Sequence, residues 1–138
     1  MTRLTPRSSP LRGSPVHGPL VVTVEVADTP AARERGLMDR TSTTGMLFLF
    51  DGQMPAAASF WNQRTLLPLD LFYIDAEGRV VARHAMRSIY ESYGMPVQYP
   101  AGASFVAALE LPRGRAPVDV QRVLVGPCDG ARAIVTLM

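Results

Sequence analysis

Lysine is absent from this 138-residue chain, and all 14 basic residues are arginine. The guanidinium suits bidentate pairing with carboxylates and other anions, but the exclusive use of arginine reflects genome composition more than recognition. The single cysteine, Cys128 in GPCDG, excludes an internal disulfide. It sits on an expected Gly/Pro turn with no histidine near it in sequence, which reads as a bystander thiol rather than a nucleophile. Only two histidines occur, His17 and His84, and they make no zinc or metalloprotease spacing. No metal or cofactor site is expected. A glycine-rich phosphate loop and a serine nucleophile elbow are missing as well. No apolar run approaches the roughly 20 residues of a membrane helix. No apolar leader opens the chain, so as written it is expected in the cytoplasm, or exported if a leader has been removed.

What is present fits one soluble domain: 47% hydrophobic and 19% charged residues over a length that encloses a single core. The pI near 9.1 hints at nucleic acid until the charges are placed. Arg3, Arg7 and Arg12 precede any acid, whereas from Leu20 onward 11 arginines face 12 carboxylates, a net charge of −1. Such a body lacks the basic patch that nucleic-acid binding requires. Residues 1–18 are rich in Pro, Ser and Arg without apolar periodicity and are expected to be disordered. Residues 19–138 are expected to form one mainly β domain.

Val22, Val24 and Val26 alternate with Thr23 and Glu25, the period of a strand with one wet face. In ADTPAARERGLM, Thr29 is placed to cap a short helix, Pro30 suits its first position, and Gly36 can close it, or the helix can run on to about Met38. GMLFLF reads as a strand buried on both faces. SFWNQ, LPLDLFYID, GRVVARHAM, ASFVAALELP and RAIVTLM supply further strands, with AEGR a hairpin link. PVDVQRVL reads as a possible last helical turn. About seven strands with one short N-terminal helix predict a β-sandwich or a partly open barrel.

Three features bear on function. In FWNQRTLLPLDLFYID, Asp70 stands between leucines in the most apolar strand, and burial without a partner would be costly. Candidate partners are Arg35 or Arg33 of the helix, the Thr65 hydroxyl, or loop amides, and the structural reading is a buttress clamping helix to sheet. Glu110 in FVAALELP raises the same question. It either pairs with an arginine such as Arg79 or Arg113, or meets Asp70 across the sheet as the two carboxylates of a glycoside hydrolase. Residues 85–104 lack periodicity and carry Tyr90, Tyr93 and Tyr99, which with Trp61 either line a groove or form a secondary core over the end of the sheet.

The motifs RERGLMDR, GMLFLF, FWNQRTLLPLDLFYID with GRVV, and LELPRG follow one another as in the bacterial and archaeal domain-of-unknown-function family 192. Its pattern runs roughly R-x-x-G-L-M, G-M-L-F, F-W-M-K-N-T-x-x-P-L-D, G-x-V and L-E-L-x-x-G. The chain resembles that family from about Val21 to Leu137. The resemblance implies a mainly β fold with a short early helix and brings no settled biochemistry. Asn62, Gln63 and Arg64 stand where the family has Met-Lys-Asn, so a role for that lysine would pass to Arg64 or Gln63.

The expectation drawn from these residues is a binding module for a small molecule, sugar or peptide. The ligand site is expected at the end bearing Trp61, Arg35, Arg64, Thr65, Asp70, Tyr90, Tyr93 and Tyr99. A hydrolase using Asp70 and Glu110, and a structural or protein-interaction module, are the alternatives. No nucleic-acid or membrane partner is expected.

Overall fold

The computed structural model describes residues 17–138, so the expectation of disorder for residues 1–16 lies outside the described residues. Strand β1 (Leu20–Ala27) turns Val24 inward and leaves Val21 and Thr23 to solvent. Helix α1 (Pro30–Arg35) begins as its cap predicts: the Thr29 hydroxyl accepts the Ala32 N–H at 3.1 Å, and Pro30 sits where no amide proton is needed. Gly36 ends it, with φ 49° and an amide that donates to the Ala32 carbonyl at 2.9 Å.

The remaining elements are β2 (Met46–Met54), β3 (Ser59–Trp61), β4 (Leu69–Ile74), β5 (Val80–Met86), β6 (Gln98–Pro100), β7 (Phe105–Pro112), β8 (Val123–Asp129) and β9 (Arg132–Leu137). Seven of the nine strands form one sheet in the order β5-β4-β7-β2-β1-β9-β8, parallel only between β1 and β2. The sheet curls until its two edges touch. The Val80 amide donates to Gln121 O at 2.9 Å and the Val123 amide to Gly78 O at 2.8 Å. Of the two expected architectures, the partly open barrel forms, because the β1–β2 contact makes one continuous sheet instead of two stacked ones.

Two stretches differ from the sequence reading. PVDVQRVL is not a helical turn: the chain from 117 to 122 is irregular, and Val123 starts β8 against β9. β-branched valines beside an open sheet edge favour pairing over helix. The stretch 85–104 contains β6, whose three residues are too few to show a period; it pairs with β3 as a separate two-stranded ribbon.

The inner face of the sheet is covered, and so is the outer face of β2, β4 and β7, whereas Val21, Leu124 and Ile134 on β1, β8 and β9 stay exposed. Inside the curl lie Val24, Leu47, Phe72, Leu109, Leu111 and Val135. On the outer face of β2, β4 and β7 lie Phe48, Leu69, Leu71, Tyr73 and Ala108, packed with Leu37, which follows α1, and with Phe60 and Tyr99 of the ribbon. The Tyr73 hydroxyl fastens that ribbon by both strands. It accepts the Phe60 amide at 3.0 Å and donates to Tyr99 O. Gly45, which opens GMLFLF, has φ 134°, and a Cβ there would meet the Leu111 side chain at 2.6 Å and Glu110 O at 2.9 Å. Only glycine lets β2 start so close to β7.

Candidate functional site

Successive residues of a strand point to opposite faces, so register decides what Asp70 and Glu110 can reach. Asp70 lies opposite Leu111, on the face inside the curl, and Glu110 lies opposite Leu71 and Met46, on the outer face. The two carboxylates are therefore on different sides of the sheet. The arrangement that a two-carboxylate hydrolase needs is not formed.

Asp70 is buried and partnered, but not by the helix. Its Oδ2 accepts the Gly114 amide at 3.2 Å and a guanidinium N–H of Arg83 at 3.5 Å. Arg83 is held in turn: it stacks on the Phe72 ring at 4.6 Å from the centroid and donates to the carbonyls of Pro117 at 2.8 Å and Val118 at 3.3 Å. The expected pairing with Arg35, Arg33 or Thr65 is corrected, and of the expected donors only the loop amide is found. Asp70 joins β4, β5 and the loop after β7 on the face away from α1, which is why no helix arginine can reach it.

The tyrosines also fall elsewhere than at Trp61. Tyr90 and Tyr93 are exposed, and Tyr99 serves the ribbon, its hydroxyl accepting the Arg87 amide at 2.9 Å. The loop they belong to is anchored by Asn62, which is fully buried. Its amide donates to Ser92 Oγ at 2.9 Å, Arg87 O at 3.0 Å and Ser88 O at 3.3 Å, and its Oδ1 accepts the Val97 amide at 2.7 Å. The first of the three residues that depart from the family pattern after Phe60-Trp61 is thus the hub of the loop.

Four of the expected site residues do come together, around a cleft on the outer face between α1 and β3. The cleft measures about 290 Å³ and is walled by Arg35 on one side and Trp61 on the other, with Phe48, Phe50 and Thr65 further in and Glu110 among its lining. A neighbouring depression of about 450 Å³ shares Arg35 and Trp61 and reaches Arg64. Phe60 points into the core and Trp61 outward because β3 alternates. The rim is fixed by a contact between two loops: the Asp39 amide donates to Arg64 O at 2.8 Å, and their side chains form an ion pair. Both residues have left-handed backbones, φ 62° and 54°.

Glu110 is the unusual member. It is 5% exposed, and its carboxyl makes no hydrogen bond or ion pair among the described residues. The arginines considered for it are engaged elsewhere, Arg79 with Asp75 and Glu77, and Arg113 with Glu91. Burial alone pushes its pKa up to about 8, so at neutral pH it holds a proton. Burial also pushes Tyr73 up to about 12, against the Phe60 amide that donates to its oxygen, and the neighbouring Glu110 adds to the rise. Of the cations on the cleft, Arg33 is committed, donating to Leu49 O at 2.8 Å and lying 5.2 Å over the Phe50 ring. Arg35 is exposed and makes no side-chain hydrogen bond among the described residues. Phe48 and Phe50 were not expected at the site, although their spacing on β2 places both on one face. No group of three metal-ligating side chains occurs among the described residues, and no helix there is long and apolar enough to cross a membrane.

Comparison with solved structures finds two similar folds. A protein of unknown function from Novosphingobium aromaticivorans is 29% identical, with a TM-score of 0.56 over 70% of this chain and 74% of that one. A protein from Sinorhizobium meliloti, described as a candidate transcription regulator, is 24% identical, with a TM-score of 0.57 over 76% and 92%. At that identity the likeness is one of fold. No curated protein matches the chain. The family model of DUF192, described as an uncharacterized ACR, matches residues 14–121, which include the helix, GMLFLF, the Phe60-Trp61 motif and LELPRG. This chain belongs to the DUF192 family.

Proposed function

We propose that this protein is a binding module for a small molecule and that its site is the cleft between α1 and β3. Glu110 is the observation that supports this most. A buried carboxyl with no partner opposes folding, and groups that oppose folding are found where a ligand or a reaction uses them. It lies in a cleft bounded by aromatic rings and one uncommitted arginine, the mixture of apolar walls and few polar groups that ligand sites share. At about 290 Å³ the cleft holds a compact metabolite more readily than a peptide or an oligosaccharide. The two-carboxylate hydrolase has no such support, since Asp70 lies on the other face.

The test is a fragment screen followed by amide chemical shifts in the full chain. Binding in the cleft shifts residues 33–38, 48–50, 59–65 and 110 together. Shifts confined to the tyrosine loop, or none with any fragment, would refute this location.

A further inference from the structure

Resting on that reading, we infer that the ligand is a small organic anion with two recognisable ends: an acidic group held at Arg35 and, across an apolar body, a neutral group that accepts a hydrogen bond from the Glu110 carboxyl. The alternative for a buried carboxyl is a cationic ligand, which would strip its proton and leave an ion pair. The charges on the cleft decide between them. Besides Glu110 itself, Arg33 and Arg35 both line it against one acid, Glu34. Arg33 is already bonded to Leu49 O and stacked on Phe50, so the free cation is Arg35 at the mouth. An amine in the cleft shares it with two guanidinium groups that repel it, whereas an anion is attracted by them.

The same argument applies to the inner end. An anion in the cleft makes ionisation of Glu110 still less favourable, so the carboxyl stays neutral and donates. Its raised pKa of about 8 agrees with that role. The titratable and charged groups about it are Tyr73 on β4 and Arg33, Glu34 and Arg35 of α1; β2 and β3 present only Met46, Phe48, Phe50, Ser59, Phe60 and Trp61 there. The cleft volume of about 290 Å³ lies at the lower limit of cavities that take drug-sized ligands, so the body between the two ends is about one ring in length.

Three probes of one shape separate the readings: 4-acetylbenzoate, 4-ethylbenzoate, which lacks the acceptor, and 4-acetylbenzylamine, which reverses the charge. Each is titrated into the full chain at about pH 6.5, with Trp61 fluorescence and amide shifts as readouts. 4-Acetylbenzoate is expected to bind about ten-fold more tightly than 4-ethylbenzoate, the worth of one good hydrogen bond, and the amine not to bind. Arg35→Gln weakens both benzoates alike. Raising the pH to about 9.5 removes the preference for the acetyl group, while Glu110→Gln, which still donates, keeps that preference at both pH values. Preference for the amine, or equal binding of all three, overturns this inference and leaves the binding module standing. No response to any of the three overturns both.

Discussion

Replacing Glu110 by Gln keeps the shape of the side chain and removes its ionisation, and the consequence for stability can be worked out from burial. In the unfolded chain the carboxyl ionises near its ordinary 4.5, whereas in the folded chain it keeps its proton up to about 8. Between these values the folded state binds the extra proton, so the stability of the parent falls as pH rises. At about 1.36 kcal/mol per pH unit, the loss reaches about 3 kcal/mol at pH 7 and levels off at about 5 kcal/mol above pH 8. Gln is neutral in both states and carries no such loss. Urea unfolding of both proteins at about pH 4.5, 7 and 9 should therefore show equal stability at the lowest value and a gap in favour of Glu110→Gln that widens to about 5 kcal/mol. Other titrating groups cancel in the difference. A gap that does not change with pH, or a variant less stable than the parent at pH 9, would show that the carboxyl is ionised and partnered in the folded protein.

Asp70→Ala leaves the Gly114 amide without its acceptor and should cost about 1–3 kcal/mol in a denaturant melt, with Asp70→Asn keeping part of it; a melt at or above the parent's would show that Asp70 is no buttress. Asn62→Ala removes the hub of the tyrosine loop and should cost roughly 3 kcal/mol while raising amide exchange from residue 88 to 97. Gly45→Ala forces a Cβ against Leu111 and the Glu110 carbonyl and should cost about 3 kcal/mol or more by thermal melting. Trp61 is 44% exposed, so Trp61→Ala should cost well under the roughly 3–5 kcal/mol of a core tryptophan, and a loss of that size would place it in the core.

Local chemistry was legible in the sequence. The Thr29 cap, Pro30 and Gly36 bound α1 as read, because capping depends on neighbours in the chain alone. The alternation in β1, the apolar run of β4 and the AEGR hairpin likewise declare themselves through side-chain period and turn residues, and with them the mainly β class, whereas the choice of a partly open barrel over a sandwich waited on the β1–β2 pairing. What sequence could not decide was which strand lies beside which. Asp70 and Glu110 are both carboxylic side chains and both buried, yet one meets Arg83 and Gly114 and the other has no polar partner among the described residues, because pairing Leu71 with Glu110 puts them on opposite faces. A register shifted by one residue would set Asp70 opposite Glu110 on one face without changing a letter. Trp61, Arg35 and Thr65 gather around one cleft with Arg64 at the depression beside it, and the tyrosines do not, because the β3–β6 ribbon and α1 fold onto the same outer face. That packing is fixed by contacts such as Tyr73 with Phe60 and Tyr99, far apart in the chain, so tertiary structure alone determined where the cleft opens and which acid lines it.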